Sequence, residues 1–130
     1  MVLIVDDDEL IINIEKKMLA TLGYEVMTAQ SGEEALELYD THRHKIDLVL
    51  LDMAMPGLDG GETYHRLKEI DEDVNVLISS GYRLNEAIRE MLNRGCRGYI
   101  QKPFSLNDLS IKVKQTMDAE IRTIENGRPF

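Results

Sequence analysis

Four apolar residues near the start of the chain, Val2 to Val5, run straight into three aspartates, Asp6, Asp7 and Asp8. Adjacent carboxylates repel, and each resists desolvation beside the others. Such a run belongs in a solvated turn or in a site that gathers carboxylates around a cation. Further along, the apolar run of residues 48–51 leads to Asp52, the strand-like run of 74–79 to Ser80 and Gly81, and that of 98–101 to Lys102 and Pro103. Taken singly, an aspartate after a strand is usually a turn or cap residue, and a lysine there is usually solvated. Taken together, carboxylates, a hydroxyl and an ammonium follow four separate apolar runs. Two or three carboxylates with a backbone carbonyl and water make the hard-oxygen environment that Mg²⁺ favours. A carboxylate held between such a cation and an ammonium can act as a nucleophile toward phosphorus. The cation and Lys102 would neutralise the phosphoryl oxygens in the transition state, and Ser80 would hydrogen-bond a further oxygen.

The elements that must position these residues alternate along the chain. Strands are predicted at 2–5, 25–29, 47–52, 74–79 and 98–101, the third being the most apolar and therefore central. The first helix spans 8–22, with Leu10, Ile11, Ile14, Met18 and Leu22 at helical spacing and Gly23 as its stop. Ser31 caps a second helix that runs to about residue 42, and Glu34 completes a capping box. After a Pro- and Gly-rich loop at 55–61, a third helix runs to about Ile70. A fourth covers 84–94 and stops at Gly95. The last starts at Ser105 with Leu106, Leu109, Val113 and Met117 on one stripe.

Five strand–helix units in so short a chain imply an α/β fold: one doubly wound (βα)5 flavodoxin-like domain with a parallel five-stranded sheet, order 2-1-3-4-5. The working edge then lies at the carboxyl ends of the strands, where the order reverses between the first and third. Strand 2, which ends in no chemical group, becomes the sheet edge.

The totals restrict the function. The chain has 130 residues and a net charge of -9, which argues against nucleic acid as a direct ligand. No apolar run approaches the roughly 18 residues of a membrane span, and no signal peptide is visible. Cys96 is the single cysteine, so no internal disulfide can form. It reads as a small buried apolar residue in a cytoplasmic protein. The chain ends suit a domain excised from a longer protein. GxSxG, Walker A and CxxC motifs are absent, and His42, His44 and His65 read as solvated.

The ordered set "IVDDD", "LLDMAMPGLDG", "ISSG" and "GYIQKPF" resembles the receiver domain of two-component response regulators over about residues 2–118. The resemblance implies a phosphoacceptor switch, not an enzyme beyond self-phosphorylation and slow self-dephosphorylation. Asp52 would accept a phosphoryl group from a histidine kinase or a histidine phosphotransfer domain. Asp7, Asp52 and the Ala54 carbonyl would ligate Mg²⁺, with Asp6 acting mainly through water. Lys102 would pair with the phosphoryl group, aimed by a cis Pro103. Ser80 and Tyr99 would form the switch pair that reshapes the face of the fourth helix, fifth strand and fifth helix. Asp8 reads as a first-turn acid of its helix.

Some positions depart from the commonest pattern. Ser80 stands where threonine is commoner, and "SSGY" resembles receivers attached to hybrid sensor kinases. The resemblance implies that the positions of Ala54 and Tyr82 influence phosphoryl lifetime. A small Ala54 would admit attacking water and Tyr82 would shield the site, so the two oppose and no lifetime is predicted. Three other readings compete. A Mg²⁺-dependent phosphatase-like hydrolase would want a second aspartate where Ala54 stands. A flavodoxin-like FMN binder would be repelled by "DDDEL". A degenerate receiver acting as a binding module would not need every reactive position filled. The domain is expected to end near Asp118, with 119–130 as a helical extension or linker carrying Ile121 and Ile124. A homodimer would form through that extension or through the fourth-helix to fifth-helix face. The sequence names no kinase, stimulus or output.

Overall fold

The computed structural model describes residues 1–81 and 83–118 in full, and 119–125 as backbone only. Tyr82, the side chains of Ile121 and Ile124, and the segment 126–130 lie outside the described residues. The order is β1 (Val2–Val5), α1 (Glu9–Thr21), β2 (Val26–Ala29), α2 (Gly32–His42), β3 (Leu48–Asp52), α3 (Gly60–Ile70), β4 (Val76–Ser80), α4 (Glu86–Asn93), β5 (Gly98–Gln101) and α5 (Leu106–Glu125). All four strand pairings are parallel, in the order β2-β1-β3-β4-β5, with β3 central as expected.

β1, β3 and β4 are buried along their whole length because helices cover both faces of the sheet. The pleat sends alternate residues to opposite sides. Leu3, Val5, Val49, Leu51, Val76 and Ile78 pack with α2, α3 and α4, whereas Val2, Ile4, Leu48, Leu50, Leu77 and Ile100 pack with α1 and α5.

The helix ends follow from local chemistry. Gly23 and Gly95 take positive φ angles of 93° and 104°, which glycine adopts without a Cβ clash, and they stop α1 and α4. Ser31 caps α2 by accepting the Glu34 amide at 3.1 Å, and Glu34 reaches back to the Gln30 amide at 2.8 Å. At α5 the pairing is reciprocal: Ser105 Oγ accepts the Asp108 amide, and Asp108 Oδ2 accepts that of Ser105.

Three expectations are corrected. β4 covers Val76–Ser80 instead of 74–79, because Val74 is still in the turn after α3, its amide donating to Asp71 O at 3.1 Å. Ser80 is consequently the last residue of its strand and does not follow it, just as Asp52 is the last of β3. In α1 the buried residues are Ile12, Glu15 and Leu19; Leu10 and Ile14 of the predicted stripe are 73% and 56% exposed.

Candidate functional site

The pleat also decides what meets at the strand ends. Asp6, Asp52 and Lys102 keep the parity of Ile4, Leu50 and Ile100, so all three lie toward the α1 and α5 side. The ladder continues past the strands to hold them. The Asp6 amide donates to Ala29 O at 3.1 Å, that of Met53 to Ser79 O at 2.9 Å, and that of Lys102 to Ser80 O at 2.7 Å. The Lys102–Pro103 peptide bond is cis, as the resemblance implied.

Lys102 Nζ bridges two buried carboxylates, donating to Asp6 Oδ2 at 2.8 Å and to Asp52 Oδ1 at 3.1 Å. Asp6 is 2% exposed and Asp52 6%. Burial pushes the Asp52 carboxyl above its ordinary range, the Lys102 charge opposes this, and the Asp6 charge adds to it. A backbone hydrogen bond from Ala54 also steadies the Asp52 carboxylate. For Lys102, burial disfavours the ammonium, but the bonds and charges of Asp6 and Asp52 outweigh it and hold the pKa above the usual value.

Asp7 is exposed at the same rim. One carboxylate oxygen each from Asp6, Asp7 and Asp52 lies within 4.8 Å of the others. This all-oxygen, acid-rich set fits a hard divalent cation that keeps part of its water shell.

Ser80 is buried, one residue beyond Ser79, the register partner of Asp52. Tyr99 is half-buried, opposite Ile78 on β5, and lines a groove of about 310 Å³ with Phe104 and Ile111. Ala54 is exposed in the loop after β3. Asp8 does not stand in the first turn of α1. It is the N-cap, its side chain accepting the Leu10 amide at 2.9 Å, and its own amide donates to Asp6 Oδ1 at 2.9 Å. The acidic run is thus divided by role: Asp6 and Asp7 face the rim, and Asp8 starts the helix. Cys96 is buried and free, its thiol pushed up to about 11 by burial.

Sequence reasoning missed Glu15. It is 3% exposed beneath the site, and burial pushes its carboxyl up to about 7. Its position between Ile12 and Leu19 at helical spacing was the available signal.

Comparison with known proteins is consistent throughout. The family model for the response regulator receiver domain matches residues 2–114. Sporulation initiation phosphotransferase F of Bacillus subtilis is 36% identical over 114 residues, covering 88% of this chain and 90% of that protein. A probable transcriptional regulator, ycf27 of Cyanidium caldarium, is 36% identical over 98% of this chain, and sensor kinase CckA of Brucella abortus 31% identical over 92%. The chain spans only 53% and 13% of those two relatives. Among solved structures, a receiver domain protein from Clostridium thermocellum superposes with a TM-score of 0.86 at 30% identity, covering 92% of this chain and 94% of that one. The CheX–CheY–BeF3–Mg²⁺ complex from Borrelia burgdorferi gives 0.82 at 28% identity, covering 91% and 87%. Among the described residues no helix is long and apolar enough to cross a membrane.

Proposed function

The chain belongs to the response regulator receiver family, a family of phosphoacceptor signalling switches, and from that premise we propose that Asp52 is its acceptor. The observation that carries this reading is the Lys102 bridge between two buried carboxylates at the carboxyl edge of the sheet. An Asp52 oxygen attacks the phosphorus of a phosphohistidine on a kinase or phosphotransfer domain. The new P–O bond forms as the P–N bond breaks, and the imidazole leaves with the electron pair and takes a proton from solvent. Asp6, Asp7, Asp52 and the Ala54 carbonyl would hold Mg²⁺, which when bound supplies charge neutralisation for the phosphoryl oxygens. Lys102 pairs with the phosphoryl group in place of its present carboxylate partners. Ser80, at the end of β4, donates its hydroxyl to a phosphoryl oxygen. Tyr99 follows into the space vacated and changes the α4–β5–α5 face, whose groove and exposed Ile111 offer a surface for output or for a second copy.

Of the outward residues of α1, Leu10 stands in its first turn, its amide on the Asp8 cap, and Ile14 lines a cavity with Lys102. They are the apolar surface a donor domain meets as it brings its phosphohistidine to Asp52. The receiver unit ends near residue 118, with 119–130 as extension or linker. A cytoplasmic setting suits both the donor and the unpaired Cys96.

Intact mass after incubation with Mg²⁺ and acetyl phosphate tests the acceptor. One phosphoryl group should be gained, only with Mg²⁺, and Asp52→Asn should gain none. A folded wild-type protein that gains nothing, or a variant that still gains one, removes the proposal.

A further inference from the structure

Glu15 is a buried carboxyl that none of this chemistry uses. Its Oε2 has no hydrogen-bond partner among the described residues, a costly arrangement for a polar atom shielded from water. Glu15 and Lys102 line one cavity of about 160 Å³ between α1 and the β5–α5 turn, walled mainly by Ile11, Ile14, Met18 and Phe104. Of the charges that face Glu15, Lys102 acts on it most strongly, ahead of Asp6 and Asp52.

The Lys102 ammonium now rests on Asp6 and Asp52. These are two of the three carboxylates in the cation site proposed above. A divalent cation and an ammonium compete for the same oxygens and repel each other. An ammonium displaced into a partly buried site needs a new acceptor. Lys102 has a flexible four-carbon stem and three donors, and the cavity along that stem already holds one acceptor without a partner.

Resting on the cation site of the preceding reading, we propose that Glu15 is a positioning residue: it receives the Lys102 ammonium when a divalent cation takes the Asp6 and Asp52 carboxylates, and gives it up when a phosphoryl group arrives. Most carboxylates near such a site would act on the cation only through space. Glu15 acts through Lys102, and that difference is measurable.

The experiment is an amide-shift NMR titration with Mg²⁺ of the wild type, Glu15→Gln, Lys102→Ala and the double variant. Glu15→Gln should weaken Mg²⁺ binding by about threefold to tenfold, the size of a direct pair coupling. In the Lys102→Ala background the same change should shift affinity less than about twofold, because no ammonium remains to be received. An equal loss in both backgrounds would mean simple charge repulsion and would overturn the proposal. A second readout is proton release on Mg²⁺ binding near pH 7. Glu15 should lose its proton on accepting the ammonium, and Glu15→Gln should abolish that release; unchanged release overturns the role. Should the amide variant fail to fold, Glu15→Leu enters the same cycle. A wild type that binds no Mg²⁺ sinks the cation site and this inference together. Wild-type binding with equal losses removes only the role of Glu15.

Discussion

α1 and α5 cover the same face of the sheet but bury their residues differently. In α5 the predicted stripe points inward apart from its first member: Leu106 is 39% exposed, but Leu109 and Val113 are fully buried and Met117 packs behind them. In α1 the corresponding stripe turns outward at Leu10 and Ile14, while a carboxyl, Glu15, goes in with Ile12 and Leu19. The cause lies at the start of α1. Its N-cap, Asp8, is itself bonded to Asp6 Oδ1. The short turn that leaves Asp6 and Asp7 at the rim therefore fixes how the helix enters. α5 starts from its own Ser105–Asp108 cap and is free to follow its apolar stripe. A helix that serves the site gives up part of its best hydrophobic contact, and the surface it leaves outside is then available to a partner.

The largest effect expected from this contrast is on stability. Leu109→Ala in α5 should lose about 2–5 kcal/mol in urea unfolding, through lost transfer energy and a core cavity. Leu10→Ala in α1 should stay within about 0.5 kcal/mol. Comparable losses from the two would break the comparison.

Next comes Glu15, where the contrast depends on pH. Burial pushes its carboxyl from the ordinary value of 4.5 up to about 7. Between those values the unfolded chain has lost the proton while the folded chain keeps it. Native stability therefore falls as pH rises through this window, by at most about 3 kcal/mol. Glu15→Leu removes that slope. Its stability relative to wild type should rise by about 1–3 kcal/mol from pH 4 to pH 8. A pH-independent difference would show that the buried acid is relieved in some other way.

The strands, their order and the rim residues were legible because each rests on a strong local signal. Apolar runs end in chemically distinct residues, and the βα alternation leaves few topologies. The caps at Ser31 and the stops at Gly23 and Gly95 were legible for the same reason. The rotation of α1 was not. Ile11 and Ile12 are neighbours, so two overlapping stripes run along that helix: Ile11, Ile14 and Met18, or Ile12, Glu15 and Leu19. Composition favours the first, and the second is the one buried. The choice is made by the rim that the helix must serve, which no periodicity within α1 records. The end of β3 at Asp52 was read correctly, but that of β4 was missed by one residue because polar Ser80 does not look like strand. Yet Ser80 is still in the ladder, its carbonyl accepting the Lys102 amide, and past Asp52 the ladder runs on through the amide of Met53.

The smallest stability effect is paired with a functional one. Replacing Leu10 and Ile14 together by serine should leave unfolding free energy within about 1 kcal/mol of wild type, since both side chains are already mostly in water. Acetyl phosphate reaches Asp52 without needing a protein surface, so Mg²⁺-dependent modification by it should be unchanged. A phosphohistidine carried on a donor domain must be held at the rim while the P–N bond breaks, and apolar contact beside the rim is the role proposed for these two residues. Transfer from a phosphorylated donor domain should therefore fall about tenfold or more in the double variant. Equal slowing with both donors would place the damage in the site itself and make the outward stripe of α1 a by-product of its entry turn. Slowing confined to the protein donor would make that stripe the counterpart of the α5 core, apolar for a partner instead of for the fold.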